Sequence, residues 1–104
     1  MNVNQDISKL VDGWCERRAL RQLRTILSSW PPPNGFSDEV MQIWAAMRHI
    51  RAMNRDDLIK HGEMDSVNGI IAELSQRLFP QETHDAIEET AERLITKIFG
   101  NQRL

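Results

Sequence analysis

Only one cysteine, Cys15, occurs in the 104 residues, so no internal disulfide can form and no zinc site built on cysteines is possible. Long apolar runs are missing as well: nothing approaches the roughly 20 apolar residues of a membrane span. The opening MNVNQDISKL shows no positive region followed by an apolar stretch, so it does not read as a signal peptide. A cytoplasmic protein is expected by elimination. Alternation of apolar and polar residues at period two is nearly absent, which argues against strands. Neither a low-complexity segment nor an internal repeat interrupts the chain. Prolines number four, and three of them stand together at 31–33.

What is there describes an ordinary soluble globular chain, with 40% apolar and 27% charged residues. A chain of this length makes one domain, 1–104, large enough to bury a core without staples. The net charge of −2 conceals an asymmetry. Residues 1–55 carry eight Lys/Arg against five Asp/Glu, and residues 56–104 carry five against ten. A basic half and an acidic half can attract each other within the fold or serve different partners.

Apolar residues recur at helical spacing almost throughout. A first helix is expected after Asn2 or Asn4 as cap, with Val3, Ile7, Leu10, Val11 and Trp14 on one stripe. The next apolar set is Leu20, Leu23, Ile26, Leu27 and Trp30. At about 100° per residue the two stripes diverge by roughly 160°, so one straight helix cannot bury both. A break near residues 16–19 resolves the conflict. The run WPPPNGF then forms a connector over 31–36, since prolines forbid helix continuation and Asn34-Gly35 is a turn pair. Ser37 is expected to cap a third helix with Val40, Ile43, Trp44, Met47 and Ile50 as its stripe. NRDDLIKHG reads as a short helical turn leading into a loop. Met64, Val67, Ile70, Ile71, Leu74, Leu78 and Phe79 mark a fourth helix, whose phase runs straight through Asn68-Gly69. Pro80 separates it from a fifth, with Ile87, Ala91, Leu94, Ile95 and Ile98 as its stripe and Gly100 at its end. The expected fold is all-α, a compact bundle of four to five helices with short connections. Trp14, Leu23, Trp44, Ile71 and Leu94, each central to its stripe, should be largely buried.

The segment GWCERRALRQLR concentrates the arginines. Arg17, Arg21 and Arg24 are expected opposite Leu20, Leu23 and Leu27, and Arg48, Arg51 and Arg55 form a second row. Were the rows neighbours, six cations could bind phosphates; against this stand the overall acidity and the lack of interleaved aromatics. Arg51 falls within an apolar stripe, so it needs a carboxylate or backbone partner. His49, His61 and His84 offer no Glu-x-x-His or His-x-x-x-His pair, so no metal site is expected. Glu88, Glu89 and Glu92 stand at a spacing seen in magnesium-dependent all-α nucleotide pyrophosphohydrolases, but the second acidic pair such sites need is missing. Cys15 has no histidine partner and is expected as a buried thiol. No nucleophile motif is present. Neither a catalytic residue nor a cofactor is assigned.

GWCERRALRQLR, followed by an Asn-Gly turn and a downstream tryptophan, resembles small all-helical bacterial proteins of uncharacterised function. That resemblance covers the first half of the chain and implies a bacterial cytoplasmic origin. Taken together the residues point to a non-enzymatic protein–protein interaction module of adaptor, regulator or immunity type, with a second copy of itself among its partners. Its candidate contact residues are Arg17, Arg21, Arg24, Trp30, Arg48, Arg55, Asp85, Glu88, Glu89 and Glu92. A nucleic-acid-associated regulator using the arginine rows is the alternative, and a small metal-dependent nucleotide hydrolase a third reading. No membrane association is expected.

Overall fold

Trp14 and Trp44, the two largest fully buried side chains, mark the centre around which the helices assemble. The computed structural model describes residues 3–30 and 37–100, with the side chains of 37 and 38 left aside. Six helices run through these residues: α1 Val3–Glu16, α2 Leu20–Ile26, α3 Ser37–Met53, α4 Arg55–Lys60, α5 Met64–Leu78 and α6 His84–Phe99. The all-α expectation holds. The count exceeds the expected four to five because NRDDLIKHG contributes a helix of its own, six residues long, with Leu58 fully buried beneath it. No helix among the described residues is long and apolar enough to cross a membrane. The proline connector, Asn34-Gly35 and the capping side chain of Ser37 lie outside the described residues, as does Asn2. Asn4 sits inside α1, which starts at Val3.

The break between the first two helices is where the diverging stripes require it. α1 ends at Glu16, Arg18 adopts φ +54°, and α2 begins at Leu20. The left-handed region disfavours any residue with a Cβ, and a single such residue suffices to redirect the chain. Ala19 N–H donates back to the Trp14 carbonyl at 2.8 Å, closing the turn.

α3 is the hub, packing on α2, α4, α5 and α6, while α1 covers α2 and α5. Its Ile43, Trp44, Ala45, Ala46, Met47 and Ile50 are all buried, a helix apolar around most of its circumference because neighbours surround it. Trp44 places its ring 5.0 Å from Phe79 and donates its Nε1–H to Ser75 Oγ at 2.8 Å. α5 sets Val67, Ile70, Ile71 and Leu74 against this hub, so Asn68-Gly69 is helical as its phase implied. Thr83 caps α6 by accepting from Ala86 N–H at 3.2 Å. α6 ends at Gly100 as expected, with the glycine itself in right-handed backbone (φ −57°). The Cα radius of gyration, 13.0 Å, is about that of a compact domain of 100 residues.

Three of the five core residues expected from their stripes, Trp14, Trp44 and Ile71, are buried, whereas Leu23 and Leu94 are only half-buried. Cys15 is exposed rather than buried. It follows Trp14 by one position and so points about 100° away from the α1 core face.

Candidate interaction surface

α2 turns its polar side to the core. Gln22, Thr25 and Ile26 are buried, while Leu20 is 70% and Leu27 52% exposed. The stripe Leu20-Leu23-Leu27, expected inside, therefore faces outward, with Leu23 half-buried at its margin. Burial of the polar pair is tolerable because both are satisfied: Gln22 Nε2 donates to Asp57 Oδ2 at 2.5 Å, and the Thr25 hydroxyl donates to the Arg21 carbonyl at 3.1 Å.

The anchor that holds α2 in this orientation is a cluster of polar groups from four segments. Arg17 donates to Asp57 Oδ2 at 2.7 Å and to Glu63 Oε1 at 2.6 Å. Trp14 Nε1–H donates to the same Glu63 oxygen at 2.9 Å. Thus the end of α1, the α1–α2 turn, α4 and the residue before α5 share one ionic joint. Burial alone favours a neutral Arg17, but the two carboxylates outweigh it and raise its pKa. Asp57 feels the same opposition: burial pushes its carboxyl up, and hydrogen bonds from Arg17 and Gln22 carry it below the usual carboxylate range. Arg17 Nε stays buried without a partner among the described residues.

A second joint ties α6 to the hub. Arg48 donates to Glu88 Oε1 at 2.6 Å, and its guanidinium lies 5.3 Å from the Trp44 ring centroid. The hydrogen bond from Arg48 holds the Glu88 carboxyl low despite burial. His49 stacks on Phe99 at 4.6 Å with the rings 6° from parallel. It is half-buried there, and that burial lowers its pKa. Among the described residues Arg51 meets neither a carboxylate nor a backbone carbonyl; its partner there is Asn68 Oδ1 at 3.1 Å. Burial, with Arg48 and Arg55 nearby against Glu88, lowers its pKa.

The ten candidate contact residues therefore divide. Arg17, Arg48 and Glu88 are engaged within the fold, and Trp30 is half-buried against the core. Arg17 does not face away with Arg21 and Arg24. Arg21, Arg24, Arg55, Asp85, Glu89 and Glu92 are exposed. The two arginine rows do not merge into one six-cation surface, because Arg17 turns towards α4 and α5 and Arg48 towards α6. The described residues contain no group of three or more His, Cys, Asp or Glu side chains placed to hold a metal ion. Asp57, Glu63 and Gln22 belong to no motif or apolar stripe that marks them in the sequence. Their signal was faint: a polar position recurring at Gln22 and Thr25 in a helix of arginines and leucines.

No known protein family matches this chain, and neither a characterised protein nor a solved structure shows significant similarity to it.

Proposed function

We propose that this chain is a non-enzymatic protein–protein interaction module, of adaptor, regulator or immunity type, acting through the outward face of α2. The observation that carries this reading is the inverted helix. Two leucines stand in water on the face where a monomer alone would place polar residues, with Arg21 and Arg24 beside them. Scattered exposed leucines need no explanation; a leucine stripe held outward by an ionic anchor beneath it supports a contact surface. The setting proposed is the bacterial cytoplasm implied by the resemblance of the N-terminal half.

The alternatives have less support. Two of the six cations a phosphate-binding surface would use are committed to internal pairs. Of the three glutamates a hydrolase would need, Glu88 is held by Arg48. Capture from a native-host lysate, comparing the wild type with Leu20→Ser/Leu27→Ser and identifying proteins by mass spectrometry, tests the reading. The double variant should lose specific proteins that the wild type retains. Identical capture by both would remove the support from α2.

A further inference from the structure

The outward face of α2 has two edges. Leu20 and Leu27 lie within about 20° of one another around the helix, and Arg24 and Arg21 follow at about 40° and 100° from Leu20. Among the described residues neither arginine has a hydrogen-bond or ion-pair partner through its side chain. The chain also carries the opposite charge in matching form. Asp85, Glu89 and Glu92 make an exposed i, i+4, i+7 stripe on α6. Asp85 and Glu92 are likewise unpaired among the described residues, and Glu89 meets only Arg93, at 3.7 Å. Leu20 and Leu27, like Asp85 and Glu92, stand seven positions apart, about 10.5 Å along a helix. Next to the acidic stripe the apolar side of α6 is half-covered, with Ile95 half-buried at its edge, because α6 leans chiefly on α3.

Both helices thus present an apolar edge beside a charged stripe, of opposite sign. Pairing α2 with its own copy is disfavoured, since Arg24 lies between the leucines along the helix and would meet its equivalent across a two-fold axis. We infer that the α2 face is occupied by α6 of a second copy of this chain, leucines against the half-covered apolar edge and Arg21/Arg24 against Asp85/Glu92. This rests on the reading of α2 as a contact surface and names its occupant. Reciprocal contacts close a two-fold dimer, and one-way contacts grow a chain of copies.

Sedimentation velocity of the purified full chain over a concentration series, at low and high salt, tests it. The wild type should self-associate, more weakly as salt rises. Arg21→Glu/Arg24→Glu and Asp85→Lys/Glu92→Lys, all exposed positions, should each weaken association about tenfold or more. Mixing the two variants should restore a complex, because one α2–α6 contact then pairs unchanged faces. Circular dichroism verifies that both remain folded. A wild type that stays monomeric throughout, association indifferent to both charge reversals, or variants that fail to complement on mixing would each overturn the inference. If self-association fails while host capture still depends on Leu20 and Leu27, only the occupant is wrong. If capture is independent of those leucines as well, the contact-surface reading falls with it.

Discussion

Arg17 shows how a single side chain decides the course of two helices. It is 23% exposed and pairs with Asp57 and Glu63 together, so its removal leaves two partly buried carboxylates without their cation, each keeping one neutral donor, from Gln22 and Trp14. Arg17→Ala should cost about 1–3 kcal/mol, between a surface pair and a buried one; a loss below about 0.5 kcal/mol in chemical denaturation would mean the joint is a surface ornament. Its neighbour Arg18 stands at φ +54°, where glycine escapes the roughly 1–2 kcal/mol steric cost but adds unfolded-chain entropy. Arg18→Gly should therefore be neutral or stabilising by up to about 1 kcal/mol, and Arg18→Val clearly destabilising. His49 adds a pH dependence. Its folded form resists protonation below the ordinary value of 6.5, owing to burial against Phe99. The unfolded chain then binds the extra proton, and stability falls as pH drops from 6.5 towards the lower folded value. His49→Phe should flatten that part of the stability–pH profile. The depressed Asp57 and Glu88 act in a more acidic window, contributing above their unfolded values and losing that contribution as pH falls through the folded ones.

α2 is the element where sequence and structure part. Periodicity located every long helix, because α1, α3, α5 and α6 carry apolar residues that recur at 3.6-residue spacing, and the divergence of two stripes located the turn at Arg18. The face of α2 was not legible. In seven residues and the cap that follows, three leucines and an isoleucine offer two phases, and the choice between them rests on Asp57 and Glu63, some 35 to 46 positions away. A long-range ionic anchor leaves no local period to read. α4 was underestimated for a related reason: six residues are too few to show a stripe, and only Leu58 reaches the core. Substitutions discriminate the two phases of α2. Ile26→Ala, at a fully buried position, should cost about 2–5 kcal/mol. Leu20→Ser and Leu27→Ser should each stay within about 0.5 kcal/mol of wild type. The reverse order in equilibrium unfolding would restore the leucine-inward helix.

Across the molecule, attachment to the hub is uneven. α5 sets four buried side chains against the hub, whereas α6, one residue longer, buries only Ala91 and Phe99 and leans chiefly on α3. Ile87, Leu94, Ile95 and Ile98 pack on the core only half-buried, and further ties are the Arg48–Glu88 pair, whose glutamate is 42% exposed, and the stacking of His49 on Phe99. Regions with few buried contacts open at lower free energy than the core they rest on. Amide exchange in α6 should accordingly run about tenfold or more faster than in α3 and α5 under native conditions. Phe99→Ala removes its main apolar anchor and the histidine's stacking partner, so α6 should lose further protection. Trp14 and Trp44, buried away from that contact, should keep native fluorescence in the variant. Equal loss of protection in every helix would instead make α6 part of one cooperative unit, its half-covered apolar side contributing more to the fold than its burial indicates. Opening confined to α6 would identify it as the segment freest to exchange its apolar contacts, while α1 to α5 keep the ionic joint at Arg17 and the outward face of α2 intact.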